Sequence, residues 1–531
     1  MQGDGDSKNG SDKSNQGIQA PSISLPKGGG AIRGIGEKFA ANPVTGTGSM
    51  SVPIALSPSR TGFGPQLALS YDSGAGNGVF GLGWNLSLPS IVRKTDKGLP
   101  QYRDDEESDV FILAGAEDLV PKVDAAGLRL PPRQFIINNT PYKVFTYRPR
   151  IEGKFALIER WVDQANSGNT FWRTISRNNI TTWFGRIGDS RVSDPENPAH
   201  TFQWLICQSH DDKGNVIEYL YDADKEADIE TSALWESNRI APQRTANRYL
   251  RRIRYGNVKP YLPTLSITNV WPNPSNVTDQ TWMFEVVFDY SDANDAVATV
   301  AAALSAKPKL RADPFSSHRA GFEERTYRLC KRVLMFHHFV DELGEADTLV
   351  RTTEFEYDEY SLTQLKQAHQ PGYTTLRSVT HRAYERNTDL GNSPYEFRNL
   401  PPVTYRYSQP VIDQTVRSIA AEQLMNLPIG TQGPGYQWID LDGEGLSGVL
   451  SEQTGAWYYK PNRGDGNLAR CAWSRDSQPW HRRPAVVISL WTFPVTAKLM
   501  WWSLMALPRV FMSVILIPVG SDMCHLPLCP I

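Results

Sequence analysis

The chain has 531 residues, 40% hydrophobic and 21% charged, which is the balance of a soluble globular protein and too long for one core. A formal net charge of −2 gives no general pull toward nucleic acid or an anionic membrane. Five cysteines, with Cys207 and Cys330 standing alone and no C-x-x-C spacing, argue against a disulfide framework or a cysteine-based zinc site.

The N-terminus, "MQGDGDSKNGSDKSNQG", has no apolar core segment, so it is not a Sec signal peptide, and export would need another route. Residues 1–26 cannot bury a core and are expected to form a disordered tail. From about Ala31 to Pro410 apolar and polar residues alternate with period two. Ser51–Leu56, Gln66–Asp72, Trp84–Lys94, Phe284–Asp292 and Thr353–Tyr360 each read as a strand with one face on a core and one toward solvent. Turn clusters such as Asp211-Asp-Lys-Gly-Asn215 lie between them. After that turn come Tyr219 and Tyr221, and Leu250–Asn257 reads as the returning strand. One helix is expected, over Asp295–Ala306. The chain is therefore mainly β.

Gly76, Gly78 and Gly81 spell G-x-G-x-x-G after the strand-like run "LALSYD". A dinucleotide loop must open a helix, because the pyrophosphate sits on the helix N-terminus. Here Trp84, Leu86 and Leu88 alternate with Asn85 and Ser87, and Pro89 follows. The glycines therefore read as a tight connection between strands that needs positive φ.

Near Pro434 the signature changes. Trp438 and Ile439 lead into Asp440-x-Asp442-Gly443-x-Gly445, followed by "GVL" and the aromatic strand "AWYY". This resembles an FG-GAP-type β-propeller repeat. Asp440, Asp442 and Glu444 occupy the first, third and fifth places of a calcium-loop pattern, but the ninth place is Gly448. That favours a hydrogen-bonded turn, with calcium as a weak candidate; no other cofactor is expected.

Other chemistry-bearing patterns read as structural. Glu354-Phe355-Glu356 matches the Glu-x-Glu of ADP-ribosyltransferases, but no Ser-Thr-Ser accompanies it. His337 and His338 are neighbours on a strand and point to opposite faces, so with Asp341 they do not make one site. Arg463-Gly464-Asp465 is an integrin-type tripeptide in an expected blade turn. No H-E-x-x-H or G-x-S-x-G is present, and no catalytic residue is assigned.

Residues 467–531 depart from the rest. Cys471, Cys524 and Cys529, five tryptophans and four methionines crowd there, and Leu499–Pro518 reaches membrane-span length with Pro508 and Arg509 at its centre. Re-reading the bases of Trp491–Ala506 in the frame that starts on each codon's third base permits "D-L-S-G-D-G-K-V-D-V-V-E-F-D-G", another propeller-like repeat. The tail is accordingly expected to be out-of-frame translation after a frameshift near Asn467–Arg470, which would make the chain a truncated one; a genuine apolar tail is the alternative.

Four segments carry a family resemblance: "LPKGGGAIRGIGEKFAANPVTGTGSMSVPI", "SYDSGAGNGVFGLGWNLSLPSIVR", "DPFSSHRAGFEERTYRLCKRVLMFHHF" and "YQWIDLDGEGLSGVL". Together they resemble the SpvB-type domain that opens the B component of bacterial Tc insecticidal toxin complexes and the Salmonella virulence plasmid B protein. The propeller signature makes the Tc component the nearer likeness. The resemblance implies a large curved antiparallel RHS-like β-shell over residues 27–410, then a linker and first propeller blade over 411–466. It also implies partners. The B and C components together enclose a toxic polypeptide, the propeller docks on the A-component pore, and the membrane is met only through that pore. The protein would be cytoplasmic before release and extracellular after it. Two alternatives are an effector of ADP-ribosyltransferase type lacking its catalytic domain, and a β protein anchored to a membrane by its tail.

Overall fold

A computed structural model describes residues 38–41, 48–114, 117–137, 139–153, 155–262, 281–292, 299–359, 372–387, 395–408, 416, 418–425, 427, 435–441, 446–453, 456–464, 466–469 and 472–473. The expected N-terminal tail 1–26, Asp442, Glu444 and everything after residue 473 lie outside them. The chain divides into two units, Met1–Val411 and Ile412–Ile531.

The first unit begins with a small antiparallel sheet. Its strands are β1 (Lys38–Ala41), β2 (Gly48–Pro53) and β3 (Ala68–Asp72), then, after a short hairpin of β4 (Asn77–Gly78) and β5 (Gly81–Leu82), β6 (Trp84–Leu86). The run Trp84–Lys94, expected as one strand, is two. Leu88 N–H turns back to the Leu86 carbonyl (3.0 Å), Pro89 has no N–H to give, and β7 (Ser90–Arg93) resumes in a different sheet.

That second sheet starts as a closed ring. After β7 come β8 (Phe111–Leu113), β9 (Glu117–Pro121), β10 (Arg133–Ile137), β11 (Thr140–Pro149), β12 (Leu157–Asp163), β13 (Thr170–Ile175), β14 (Thr181–Phe184), β15 (Arg191–Ser193) and β16 (Thr201–His210). Antiparallel pairings run β7–β8–β9–β11–β12–β13–β14–β16, and β16 returns to β7 through Trp204 opposite Ile91. The barrel is filled. Phe111 on β8 meets Trp172 on the opposite wall (β13) at 5.0 Å between ring centroids, and Tyr147 and Trp204 complete the layer. Aromatic rings of this size fill the interior of a small barrel without leaving a channel.

Strand β16 is shared. Gln203–Leu205 pair with β7, whereas Gln208–His210 pair with β17 (Val216–Ala223). From β17 an open antiparallel sheet continues through β18 (Arg248–Asn257) and β19 (Trp282–Asp289). A side hairpin of β20 (Leu310–Ser317) and β21 (Glu324–Arg328) intervenes. The sheet resumes with β22 (Arg332–His337), β23 (Thr348–Asp358) and β24 (Thr375–Arg386), which pairs with both β25 (Tyr395–Asn399) and β26 (Val403–Thr404). The Gly214 turn at the start of β17 is held by Asp211, whose carboxylate accepts from Lys213 N (2.9 Å), Asn215 N (2.8 Å) and Asn215 Nδ2 (2.7 Å).

The expectation of one solvated face fails at the centre of this sheet. One face packs Val52, Leu69 and Trp84 of the small sheet against Ile253, Val286 and Leu376. On the other, Val287, Leu334 and Phe336 meet Val300 and Ala303 of a short helix, α1 (Val300–Ser305). Thr299 caps α1, so the helix is shorter than Asp295–Ala306 at its described end; residues 293–298 lie outside the description. The polar positions of the alternation are buried as cross-strand ion pairs instead: Arg252 with Glu285 (2.6 Å) and Arg254 with Glu218, the two carboxylates being 4–5% exposed.

The second unit is an antiparallel meander of β27 (Tyr436–Ile439), β28 (Gly448–Gln453), β29 (Ala456–Lys460) and β30 (Ala472–Trp473). Pairing therefore runs past residue 466, where the sequence reading placed the end of the blade: Ala469 N–H also donates to Pro461 O (2.9 Å).

Candidate functional site

The glycine motif lies on β4, β5 and their flanks, and several N–H groups in and beside it are already committed. Gly83 N donates to Gly76 O (3.0 Å), Leu82 N to Thr374 O (2.9 Å) and Gly78 N to the Asn77 side chain (3.1 Å). Gly81 and Gly83 have φ of +87° and +81°. A Cβ on Gly81 would stand 2.9 Å from Thr374 O, and one on Gly83 2.5 Å from the Tyr71 ring. Glycine is needed here so that two backbones can touch. No helix follows, so these N–H groups form no phosphate cradle.

The hairpin is gripped like a ligand. Arg311 on β20, with its side chain wholly buried, donates to Gly78 O (2.8 Å) and Asn77 Oδ1 (2.9 Å) and pairs with Asp313 (2.8 Å). Asp313 accepts from Asn77 Nδ2 (3.0 Å), Thr374 N (2.8 Å) and Thr374 Oγ1 (2.5 Å). Burial alone would raise the Asp313 carboxyl, but Arg311 and Thr374 outweigh it and hold it below the usual range. Close by, Trp84 Nε1 donates to Tyr407 OH (2.8 Å), which donates to Leu376 O (2.8 Å). The small sheet is thus clasped onto β24. The sequence marked only Asp313 of these three, as the first residue of the family segment "DPFSSHR", and gave no sign of Arg311 or Thr374.

Two further ion clusters brace the unit. At one end of the barrel, the loop 94–110 brings Asp104 and Asp109 onto Arg93 (2.6 and 2.8 Å), and Asp104 also pairs with Arg160. Burial would raise Asp104, yet the two arginines hold it low. Glu107 accepts from Tyr147 OH (2.9 Å) and pairs with Arg129. Glu236, 1% exposed, receives Arg325 (2.7 Å), Arg244 (3.3 Å) and Tyr327 OH (2.8 Å), tying the segment after β17 to the β20–β21 hairpin.

Next to that cluster, burial pushes Glu324 up to about 7. Its folded pKa lies above the ordinary 4.5, so the folded state keeps the proton between about 4.5 and 7. The resulting stability is complete below pH 4.5 and drains away as pH rises through 7. Glu324→Gln is therefore expected to unfold at the wild-type temperature at pH 4.5 and at a higher temperature at pH 8. Calorimetry at the two pH values checks it; equal midpoints at pH 8 would refute the assignment.

The remaining motifs separate in space. His337 Nε2 meets Ser57 Oγ (2.7 Å), while His338 faces Glu285 (3.3 Å) and Asp347 (3.2 Å). Burial and Arg351 lower His337; carboxylate partners overcome burial and raise His338. Glu354 accepts from Thr352 (2.6 Å) and Glu356 from Ser378 (2.9 Å), both along β23, with Phe355 buried against Phe80. In the second unit Tyr459 OH accepts from Leu441 N (3.2 Å) and donates to Ile439 O (3.2 Å), holding the chain on both sides of Asp440. Asp442 and Glu444 lie outside the described residues, as does Asp465 of the tripeptide. Among the described residues no three His, Cys, Asp or Glu side chains are grouped to hold a metal.

The first unit is thus a filled barrel fused to a clasped, doubly covered antiparallel sheet. Residues 42–339 match the family model described as Salmonella virulence plasmid 65kDa B protein, SpvB. The chain belongs to the SpvB family. It is 39% identical over 348 residues to the mono(ADP-ribosyl)transferase SpvB of Salmonella choleraesuis strain SC-B67, covering 64% of this chain and 55% of that protein. It thus spans about half the length of the curated relatives it matches. The N-terminal domain of effector protein SpvB from Salmonella typhimurium strain LT2 matches 63% of this chain and 98% of its own at 36% identity and a TM-score of 0.53. The TcdB2-TccC3 structure matches 87% of this chain and 21% of its own at 29% identity and a TM-score of 0.63. The Photorhabdus luminescens Tc holotoxin pore matches 89% and 20% at 28% identity and a TM-score of 0.63. Identity is thus higher with the Salmonella proteins, while the likeness reaches further along the chain with the Tc complexes.

Proposed function

We propose that this chain is the N-terminal part of a Tc-type B component. In this reading it supplies wall to a β-shell completed by a C component, and the shell encloses a toxic polypeptide. The observation that carries the reading is the extent of the likeness. The Tc complexes match 87–89% of the chain, well past residue 339 where the SpvB family model stops. The physical design suits a wall: the barrel interior is spent on aromatic packing and the glycine loop on its own sheet, so binding capacity lies in edges and surfaces. The meander of the second unit would be the first blade of a propeller that docks on the A-component pore. Release would draw on a cytoplasmic pool.

Co-expression with a C component tests this. The two are expected to co-elute and to shield the C-component terminus from protease. Separate elution with full protease sensitivity would reject the reading. A second reading, an effector acting on host protein, is favoured by the 39% identity to a mono(ADP-ribosyl)transferase. NAD turnover by the purified chain would support that reading and overturn the structural one.

A further inference from the structure

We propose that the wedge where the barrel leaves the open sheet binds a small amphiphilic carboxylate, a flat apolar body carrying one anionic group. The wedge follows from the shared strand. One edge of β16 serves β7 at Gln203–Leu205 and β17 at Gln208–His210. Beyond Glu218, β17 turns away and pairs only with β18, with a bulge between Leu220 and Tyr221. Two strands that part from a common neighbour leave a crevice, the kind of place where sheet proteins take ligands.

The crevice holds a half-open cavity of about 300 Å³. Its walls include Leu86, Leu88, Leu205 and Phe288, with the rings of Tyr221 and Tyr290. Both tyrosine hydroxyls are spent on backbone, Tyr221 on Ile206 O (2.8 Å) and Tyr290 on Leu250 O (2.8 Å), so they add ring surface rather than polarity. An apolar cavity of about 150 Å³ accommodates benzene. Twice that volume suits a fused bicyclic ring.

One charge lines this space, beside the polar side chains of Asn85, Ser90 and Gln203. Arg248 gives Nη1 to the carbonyls of Thr245, Ala246 and Asn247 (2.7, 3.1 and 3.0 Å), its Nε is buried out of solvent's reach, and its Nη2 makes no hydrogen bond among the described residues. The other arginines of β18 each meet a carboxylate: Arg251 meets Asp222, Arg252 meets Glu285 and Arg254 meets Glu218. Among the described residues Arg248 forms no ion pair. Asp189 and Asp224 act on the guanidinium only from beyond ion-pair distance, and a carboxylate in direct contact is its best-matched partner. The apolar walls then select what the carboxylate is attached to.

The probes are 1-naphthoate and its neutral analogue 1-naphthalenemethanol, titrated calorimetrically into the full chain. Naphthoate is expected to saturate and to raise the unfolding temperature. Arg248→Gln is expected to weaken naphthoate about tenfold or more while leaving the alcohol unchanged, since only the carboxylate gains a charge-assisted hydrogen bond. Leu86→Trp, which fills the cavity, is expected to abolish both. Retained binding of the alcohol by Arg248→Gln shows that this variant is folded. Absence of saturable heat with folded wild-type protein at millimolar naphthoate overturns the proposal. So does an Arg248→Gln variant that binds naphthoate as well as the parent does.

Discussion

Glu236→Ala is expected to destabilise the first unit by about 3–5 kcal/mol, because it strands buried positive charge. Glu236 is 1% exposed, and the side chains of Arg325 and Arg244 that meet it are 5% and 6% exposed. Neither arginine can return to water without lifting the segment after β17 off the β20–β21 hairpin. Tyr327 loses its acceptor as well, leaving a buried hydroxyl unpaired. The measurement is urea denaturation followed by tryptophan fluorescence. Asp105→Ala serves as control, because Asp105 is an exposed carboxylate for which a change within about 0.5 kcal/mol is expected. A Glu236→Ala midpoint indistinguishable from that control would mean the cluster is not a brace.

Gly81→Ala and Gly76→Ala are expected to move stability in opposite directions. At Gly81 the left-handed backbone costs an L-residue about 1–2 kcal/mol. The added methyl would press on the Thr374 carbonyl at 2.9 Å, worth about 1–3 kcal/mol more. The clasp of Arg311 and Asp313 resists any retreat of the hairpin. At Gly76 an added Cβ meets nothing within 4 Å, and loss of unfolded-state freedom should stabilise by about 0.4–1 kcal/mol. A nucleotide cradle would make both glycines matter to binding and neither especially to folding. Denaturation midpoints of the two variants decide; equal losses at both positions would contradict the clasp.

Much of this was legible locally. Trp84, Asn85 and Leu86 alternate, and that alone separated a strand from the helix that a phosphate loop requires. The Asp211–Asn215 turn could be read because one carboxylate organises it within five residues. The strands over "GVL" and "AWYY" were legible as apolar and aromatic runs, while Asp442 to Gly445 of the acidic segment lie outside the described residues. Other features had no local signal. Glu218, Glu285, Arg252 and Arg254 alternate with apolar residues as solvated positions do, yet they neutralise one another across strands inside the sheet. Nothing near Ser90 announces that β7 will close a ring with β16. Nor does the sequence around Arg311 reveal that its guanidinium will hold a carbonyl of the glycine hairpin. Pro89 was the one visible warning that Trp84–Lys94 would break.

The ring and the clasp also set the order in which the chain can acquire structure. Most neighbours in the sheet are consecutive in sequence, so strands can join one hairpin at a time with little loop entropy to overcome. The long-range contacts are different, and two of them show the delay. Ser90 and Gln203 are 113 residues apart, and Gly78 and Arg311 are 233 apart. During synthesis the barrel cannot close until β16 has emerged, and the hairpin around Gly81 waits longer still for β20 and Thr374. Until then the aromatic interior and the glycine loop stand open. The nascent chain therefore passes through a long interval with unpaired edges, and its dependence on protection is greatest before residue 374 has been made.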